Sequence, residues 1–446
     1  MLIARIETMQ PKLNCFITVC ADEALHDARL AEEAVMSGQA LGPLHGVPFT
    51  AKDLINTQGV RTTYGSLIFA EHVPQSDTVA IARMKAAGAI LVGKTTTPEF
   101  GQKGLTEAPL FGKTRNAWRA DRTCGGSSGG SAVAVASGLA PLSIATDGGG
   151  STRIPAACNG VVGIKQSLGV VPVNTSQDAF GNISYTTPMT RTVADTALML
   201  DVMGGPHISD PHTLARVPPR YLQSLSARRD LRGVRIGWRP LLGNRVLSTE
   251  VRTACERALA LLTEAGAEVF EPTEPFDNAE ELWLKVNGTY RLAQFGHHLA
   301  QHRDRMDPTL AAQLDNAGKL SAEELYRAIF LRTKLYRAVQ SWFDHADVII
   351  TPTLACTALP IEHQFFDLVS IDGELTDTMR RAWYPYALPF NMTGNPAISV
   401  PCAWSDDGLP IGLQMIGRLH EDVLLLQMDA QLEARLEWGK RRPTGS

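Results

Sequence analysis

The stretch from Thr123 to Ala156 constrains this chain more than any other part of it. It reads TCGGSSGGSAVAVASGLAPLSIATDGGGSTRIPA and contains two glycine-rich turns, around Ser127 and Ser151, with a short helical pattern between them. Glycine loses more backbone freedom on folding than any other residue, so grouped glycines indicate close approaches that a side chain would block. Flexible linkers are not normally interrupted by an apolar run such as AVAVA. The stretch therefore predicts two structured turns, each presenting a serine.

The composition excludes several classes of protein. With 44% hydrophobic and 20% charged residues among 446, the chain is in the globular range. It has no run approaching the roughly 20 apolar residues of a membrane helix, so no membrane partner is expected. A net charge of −4 gives no basic field for nucleic acid.

The cysteines and the first residues bear on cofactors and location. The seven cysteines are scattered and form no C-x-x-C pair, which argues against a disulfide scaffold or a zinc site. We expect neither a metal nor a cofactor. The opening MLIARIETMQPKLNCF lacks a basic region followed by an uninterrupted apolar core, so no signal peptide is indicated and a cytoplasmic location is expected.

Helical patterns alternate with short, nearly continuous apolar runs along the chain. Such alternation favours an α/β fold: one large domain, 1–446, with a mixed, mostly parallel central sheet covered by helices on both faces. The first helix is predicted over 11–37. Further helices are predicted from about 76 to 88 and over 249–265, and strands over 46–53, 89–92, 234–238, 267–270, 347–350, 397–400 and 413–416.

Between 278 and 343 the pattern changes to long helical periodicity with many charges. We interpret this segment as a helical insertion within the domain that shapes a substrate pocket. Its aromatic side chains either wall that pocket or belong to the core, and aromatics at helical spacing belong to the core more often. They are Trp283, Tyr290, Phe295, Tyr326, Phe330, Tyr336, Trp342 and Phe343.

The first serine turn matches two known motifs poorly. Residues 125–129 satisfy G-x-S-x-G, but a nucleophile elbow needs an apolar strand directly before it, and RNAWRADRTC is polar and irregular. A phosphate loop would need a Lys and a Ser or Thr after the glycines. The glycines of this turn therefore serve another purpose.

The second turn suggests acyl transfer. Three successive glycines precede Ser151, so several backbone N–H groups can converge on an oxyanion, each good donor contributing about 3 to 4 kcal/mol. Ser151 is then the nucleophile, and Ser127 can relay its proton if the chain folds back. Lys52, at the end of the apolar run GVPFTAK, is the candidate base if burial keeps it neutral. The competing interpretation is a strand-end lysine whose head reaches water.

At these residues the sequence resembles the amidase signature family. GGSSGGSAVAVASGLAPLSIATDGGGSTRIPA is similar to its defining serine- and glycine-rich segment, and GVPFTAKDL to its catalytic-lysine segment. The resemblance covers most of the chain and implies Ser151 as acylated nucleophile, Ser127 as bridging serine in a cis peptide bond, and Lys52 as base. It also implies oxyanion donors on the backbone of Gly148, Gly149, Gly150 and Ser151.

Residues around the nucleophile carry further expectations. Asp147 and Arg153 flank the loop and are expected to brace it as an ion pair. The family commonly has an aliphatic residue or threonine at the position of Gly148 and isoleucine at that of Thr152, so the packing of this loop is expected to differ here.

The resemblance implies an amidase that hydrolyses a carboxylic amide, and also an ester, carbamate or urethane. A small-molecule amide is the expected ligand, and a homodimer is left open. Candidate pocket residues are Gly101, Gln102 and Tyr185, with Trp383, Tyr384 and Tyr386 in the segment 382–390 indicating an apolar substrate group.

Two alternatives remain at this stage. One is an α/β-hydrolase-type esterase with a Ser-His-acid triad built on Ser127 or Ser128 and one of His207, His212, His297, His298 and His420. The other is a non-catalytic binding or assembly subunit of the same fold.

Overall fold

The computed structural model describes residues 1–228 and 230–443. The helices are α1 Leu2–Leu13, α2 Ala21–Met36, α3 Val79–Ala86, α4 Gly129–Ala136, α5 Arg153–Asn159, α6 Val193–Met203, α7 Tyr221–Ser224, α8 Thr249–Glu264, α9 Glu280–His302, α10 Pro308–Ala317, α11 Ala322–Trp342, α12 Met379–Ala382, α13 Leu388–Thr393 and α14 Asp422–Leu436. The strands are β1 Phe16–Val19, β2 Pro48–Lys52, β3 Ile90–Thr95, β4 Glu107–Ala108, β5 Gly112–Lys113, β6 Leu142–Asp147, β7 Val162–Lys165, β8 Tyr185–Thr190, β9 Arg235–Trp238, β10 Glu268–Phe270, β11 Val348–Pro352, β12 Leu368–Ile371, β13 Glu374–Thr378, β14 Ala397–Trp404 and β15 Pro410–Gly417.

A central sheet of 11 strands organises the single domain, in the order β1-β3-β2-β6-β8-β7-β14-β15-β11-β9-β10. The mixed α/β sheet predicted from the sequence is confirmed. Its parallel pairs form two blocks, β3-β2-β6 and β11-β9-β10. The strands between these blocks, and β1 at the edge, pair antiparallel. These central strands are largely buried, and β14 and β15 show the nearly continuous apolar runs that are typical of parallel strands.

Helices cover both faces of the sheet, as predicted. Along β11, Val348 and Ile350 pack into the apolar core that also contains residues of α3, α6, α8 and α14. The intervening Ile349 packs into a second core that contains residues of α5 and α11. Since successive side chains of a strand point to opposite faces, these two cores lie on opposite sides of the sheet.

The serine-rich stretch forms helix α4, strand β6 and helix α5. All eight residues of α4 are buried. A Cβ added to Gly129 would lie 2.3 Å from Thr106 Oγ1, and one added to Gly130 would lie 2.4 Å from Thr96 Oγ1. The close approaches predicted from these glycines are therefore present, and they allow the first turn of α4 to pack against Thr96 and Thr106.

The prediction of one helix over 11–37 is wrong. Residues 2–13 form α1, strand β1 follows, and α2 begins at Ala21. The break comes at Asn14, which has a positive φ of 49° and ends α1, and the following Phe16 pairs with Thr95 of β3. Pairing of β1 with the sheet edge prevails over the helical periodicity of this segment.

Between 278 and 343 the chain forms α9, α10 and α11. Helix α9 contacts both α10 and α11, and α9 and α11 also contact α13. Among the residues described, 1–228 and 230–443, no helix has the length and apolarity needed to cross a membrane.

Candidate active site

Lys52 lies at the carboxyl end of β2, beside the parallel strand β6. Because both strands end at the same edge of the sheet, its side chain meets Thr146 near the end of β6. Lys52 Nζ lies 2.7 Å from Ser127 Oγ and 2.8 Å from Thr146 Oγ1. The side chain is 0% exposed, so the interpretation of Lys52 as a lysine with its head in water is wrong.

The surroundings of Lys52 favour its neutral form. Burial lowers the pKa of Lys52 well below its ordinary value. The charge of Asp147 opposes this effect, and the charge of Arg291 adds to it. A neutral amine keeps one lone pair and two N–H donors, which matches two hydroxyl partners that can each donate or accept.

The first serine turn supplies Ser127. Its peptide bond with Gly126 is cis, as the resemblance implies. The neighbouring Ser128 N–H donates to the carbonyl of Ser151 over 3.0 Å, which joins the two serine turns through the backbone. Ser128 Oγ donates to the carbonyl of Thr146 over 3.1 Å, so this hydroxyl is bound to β6.

The second serine turn is held by a buried ion pair. Arg153 Nε and Nη2 donate to the two carboxylate oxygens of Asp147, each over 3.0 Å, and Asn391 Nδ2 donates to Asp147 Oδ1 over 3.0 Å. Burial alone would raise the pKa of Asp147, but Arg153 and these hydrogen bonds hold it well below its usual range. The predicted brace between Asp147 and Arg153 is therefore confirmed.

This brace changes the expected set of oxyanion donors. The N–H of Gly150 donates to Asp147 Oδ1 over 2.7 Å. This N–H points toward the carboxylate of Asp147, so the prediction of Gly150 as an oxyanion donor does not match this structure. Gly148, Gly149 and Ser151 line the cavity next to the turn.

Ser151 opens onto a cavity of about 610 Å³ that Ser127 and Thr146 also line. Its hydroxyl makes no hydrogen bond within the described part of the chain. The structure thus brings Lys52 and Ser127 into direct contact and places Ser151 in the same cavity. The two serine hydroxyls are not hydrogen-bonded to each other among the described residues.

The three candidate pocket residues all line this cavity. A Cβ added to Gly101 would lie 3.1 Å from Ser127 Oγ, so the glycine leaves room for that hydroxyl. Gln102 Nε2 donates to Thr309 Oγ1 over 2.7 Å, which ties the amide to α10. Tyr185 is buried, and its ring lies 3.9 Å from Lys165 Nζ.

The aromatic side chains divide between the cavity and the core. Trp383 and Tyr386, expected near the substrate, are fully buried and bond to backbone carbonyls of residues 356, 357 and 240, whereas Tyr384 lines the cavity. Of the aromatics between 278 and 343, Trp283, Tyr290 and Phe295 line the cavity, Trp342 and Phe343 are buried in the core, and Tyr326, Phe330 and Tyr336 are exposed.

Three polar residues of this site were not predicted from the sequence. Thr146 bonds to Lys52, and the arginines Arg291 and Arg380 line the cavity from α9 and α12. The position of Thr146 directly before Asp147 in the serine-rich stretch could have indicated its role. The arginines stand in helical segments of mixed charge and carry no comparable sequence signal.

Known proteins resemble this chain along nearly its whole length. A family model described as Amidase matches residues 1–426. An acylamidase of Rhodococcus erythropolis is 35% identical over 454 residues, covering 100% of this chain and 93% of that protein. The chain belongs to the amidase signature family. The family match and the similarity to the acylamidase identify the protein as a hydrolase that acts on carbon–nitrogen bonds other than peptide bonds.

Other members of the amidase signature family are similar over a comparable length. The structure of a bacterial aryl acylamidase of this family superimposes with a TM-score of 0.90 at 29% identity, covering 99% of this chain and 94% of the other. One of the subunits of the glutamyl-tRNA(Gln) amidotransferase of Geotalea daltonii is 33% identical, covering 99% of this chain and 94% of that protein.

The two departures from the usual amidase signature sequence have local partners here. The carbonyl of Gly148 accepts a hydrogen bond from Trp283 Nε1 over 2.8 Å. Thr152 Oγ1 lies 2.6 Å from Thr187 Oγ1 and donates to the carbonyl of Thr146 over 3.1 Å. The loop is therefore anchored by hydrogen bonds on both sides of Ser151.

The histidines do not support the esterase alternative within this family. His297 and His298 line the cavity, but in the described ranges no histidine bonds to Ser127 or Ser128. The group beside Ser127 is Lys52. Residues 1–228 and 230–443 also contain no cluster of His, Cys, Asp or Glu that could hold a metal ion.

Proposed function

We propose that this protein is an amidase that uses Lys52, Ser127 and Ser151 to hydrolyse a carboxylic amide through an acyl-enzyme on Ser151. The observation that carries the proposal is the contact of 2.7 Å between Lys52 Nζ and Ser127 Oγ at a fully buried amine. A lysine that is neutral in this place can accept a proton, which an ordinary ammonium group cannot.

The proton path runs along the three side chains. Lys52 takes the proton of Ser127 as Ser127 takes that of Ser151, and Ser151 Oγ attacks the carbonyl carbon of the amide. The tetrahedral intermediate then collapses, the C–N bond breaks, and the proton returns through Ser127 to the leaving amine. Water attacks the ester carbonyl with the same base, which releases the acid and restores Ser151.

The path requires Ser151 Oγ to approach Ser127 Oγ when substrate binds. Both residues line one cavity, and the bond from Ser128 N–H to the Ser151 carbonyl holds their turns side by side. Hydrogen bonds of catalytic groups are often completed only in the substrate complex. The open hydroxyl of Ser151 is compatible with this closure.

The oxyanion would be stabilised by backbone N–H groups of Gly148, Gly149 and Ser151. The proposal leaves Gly150 out as a donor, because its N–H is held by Asp147. The role of Gly150 is to fix the turn, since its link to the buried Asp147 sets the direction of the peptide units beside it. Preorganised donors of this kind stabilise developing charge without reorganising during the reaction.

The cavity walls support an acyl amide with an apolar or aromatic group as substrate, and an ester or carbamate as an analogous one. Trp283, Tyr290, Phe295 and Tyr384 line the cavity, and the first three come from α9. We therefore also propose that the helical segment 278–343 shapes substrate choice. Two similar proteins are named acylamidase and aryl acylamidase, which agrees with this class.

Labelling with a fluorophosphonate tests the proposal. The probe should react with the nucleophile as a substrate does and form a stable phosphonate ester at Ser151, identified by peptide sequencing. Ser128→Ala is the matched control, because Ser128 lies beside Ser127 but is bound to β6. Label on Ser151 in both proteins supports the proposal, whereas label on Ser127 or Ser128, or none on an intact fold, contradicts it.

A second candidate is a glutamine-hydrolysing component of an amidotransferase, favoured by the similarity to the Geotalea daltonii protein. Free glutamine carries both an ammonium group and a carboxylate, so the guanidinium groups of Arg291 and Arg380 in the cavity would repel the first and attract the second. A glutaminase assay beside an anilide assay separates the candidates, since faster turnover of glutamine would favour the amidotransferase component.

A further inference from the structure

Two arginines line the catalytic cavity, and neither has a carboxylate partner in the described chain. Arg291 Nη2 donates to the carbonyl of Gly101 over 3.0 Å, and its Nη1 is buried without a hydrogen-bond partner among the described residues. Arg380 is 7% exposed and donates from Nη2 to Gln313 Oε1 over 2.8 Å. Both partners are uncharged, so both positive charges remain unbalanced.

Lys103 also lines the cavity, but its charge is balanced, unlike the charges of the two arginines. Lys103 Nζ lies 2.9 Å from Glu107 Oε1 and 2.8 Å from Asp307 Oδ2. No Asp or Glu stands among the described residues that line the cavity. The excess positive charge of the cavity therefore belongs to Arg291 and Arg380.

Buried charges without a counterion are costly. Arg380 stacks over the rings of Trp283 and Phe365, with its guanidinium carbon 5.2 and 4.7 Å from their centroids. A charge removed from water and left without a counterion destabilises a protein strongly. The planar guanidinium group is well suited to bind a carboxylate through two parallel hydrogen bonds. A substrate carboxylate would supply the missing counterion.

Each arginine lies one intervening residue away from the residues of the two serine turns. The carbonyl that Arg291 binds belongs to Gly101, whose added Cβ would lie 3.1 Å from Ser127 Oγ. The ring under Arg380 belongs to Trp283, which donates to the carbonyl of Gly148 over 2.8 Å. A carboxylate bound here would thus belong to the same small molecule as the scissile amide.

We propose that the cavity selects amides that carry a carboxylate, and that Arg291 and Arg380 bind this carboxylate. The inference rests on the proposed amidase function and adds the substrate class. It concerns binding alone, so no further chemical step is involved.

Matched substrates test the inference on the unmodified enzyme. One pair places the charge on the acyl side: glutaryl para-nitroanilide against hexanoyl para-nitroanilide. The other places it on the amine side: N-butyryl para-aminobenzoate against N-butyryl para-toluidine. In one of the pairs the charged member should show a kcat/KM about 10 to 100 times higher, the range expected of hydrogen bonds to a charged group.

Substitutions then assign the preference to residues. Arg291→Gln and Arg380→Gln should each lower the ratio of kcat/KM between charged and neutral substrate about tenfold. The ratio is measured within one preparation, so a partly misfolded sample does not change it. Arg327→Gln is the control, because Arg327 is 73% exposed and pairs with Glu323 at the surface. It should leave the ratio unchanged.

The outcomes separate the inference from the proposed function. If neutral anilides are hydrolysed and the charge gives no advantage in either pair, the inference is overturned while the amidase stands. A preference that survives both arginine substitutions also overturns it. If no amide is hydrolysed and Ser151 takes no label, the inference and the proposed function fail together.

Discussion

Two buried lysines on neighbouring strands of one sheet have different surroundings. Lys52 ends β2, and Lys94 lies on the adjacent parallel strand β3, opposite Ala51. Both side chains are 0% exposed. Lys94 Nζ donates to the carbonyl of Ile55 and to two threonine hydroxyls, whereas Lys52 Nζ contacts two hydroxyls.

The partners decide what each buried amine can do. A carbonyl only accepts, and three acceptors match the three N–H donors of an ammonium group. Burial lowers the pKa of Lys94 to about 8, with the charge of Asp53 opposing the shift. Lys52 has no carbonyl among its partners in the described part of the chain, and burial lowers its pKa well below the ordinary value. We infer that Lys94 holds its loop as a donor, while Lys52 exchanges a proton.

Loss of the nucleophile should give the largest effect. Ser151→Ala should lower kcat at least about 10⁴-fold, because residues that act as one catalytic unit lose most of the rate when any member is removed. The measurement is steady-state hydrolysis of an anilide, with folding checked by circular dichroism. Ser128→Ala, whose hydroxyl bonds only to β6, should retain most of the activity. Equal losses in the two variants would contradict the assignment of Ser151.

Replacing the two lysines should have very different effects on kcat. Lys52→Met should lower kcat about 10³-fold or more, since general base catalysis contributes about 10² to 10⁴ and the relay through Ser127 depends on it. Lys94→Met should retain most of the kcat of its folded fraction, because it bonds to Ile55 and the loop. The folded fraction of each variant, measured by circular dichroism, normalises both values. A Lys94 variant as inactive as the Lys52 variant would remove the distinction.

The same two variants should differ in stability. The pKa of Lys52 is lower folded than unfolded, so the unfolded chain binds more protons between these values and stability falls as the pH decreases toward the folded pKa. At neutral pH Lys52→Met should therefore raise the free energy of unfolding. Lys94→Met should raise it less, because the pKa of Lys94 is lowered only to about 8 and the buried Ile55 carbonyl loses its lysine donor, a loss of about 1 to 3 kcal/mol. Urea denaturation measures both changes.

The pH dependence of catalysis should identify the lysine that titrates. Only neutral Lys52 accepts a proton, so kcat/KM should rise about tenfold per pH unit below its pKa and then level off. The midpoint should lie well below the ordinary value of a lysine. Lys94→Met should leave this midpoint in place. A midpoint at the ordinary value of a lysine, or one that moves in Lys94→Met, would contradict Lys52 as the base.

The smallest effect is expected at the second partner of Lys52. Thr146→Val removes the hydroxyl that accepts from Lys52 Nζ over 2.8 Å. An acceptor stabilises the charged form more than the neutral one, so its loss should move the midpoint of the pH profile to lower pH. The loss in kcat should be about tenfold, the size of one hydrogen bond to a charged group. Thr146→Ser keeps the hydroxyl and should restore both values.

The sequence was sufficient to predict most of the side chains that meet at the candidate active site. Grouped glycines and a lysine at the end of an apolar run are local features, and each has a direct physical meaning. The contact of Lys52 with Ser127 follows from them once β2 and β6 end at the same sheet edge. That edge could be expected from an α/β pattern, although the antiparallel centre of the sheet could not.

Other features depend on contacts that no local pattern encodes. The helical periodicity of 11–37 gave no sign of β1, because that strand forms only through pairing with β3. Trp383 and Tyr386 belong to the core, while Tyr384 between them lines the cavity, and composition alone could not separate them. The direction of the Gly150 N–H depends on the placement of Asp147, which Arg153 holds.

A titration of the two lysines by NMR tests the central claim most directly. Selectively labelled lysine Cε resonances, assigned with the Lys52→Met and Lys94→Met variants, report the charge of each amine as the pH changes. We predict that Lys52 loses its charge at lower pH than Lys94, whose pKa is lowered to about 8, and is neutral where the enzyme is active. A Lys52 resonance that stays in the charged form above the midpoint of Lys94 would contradict this assignment.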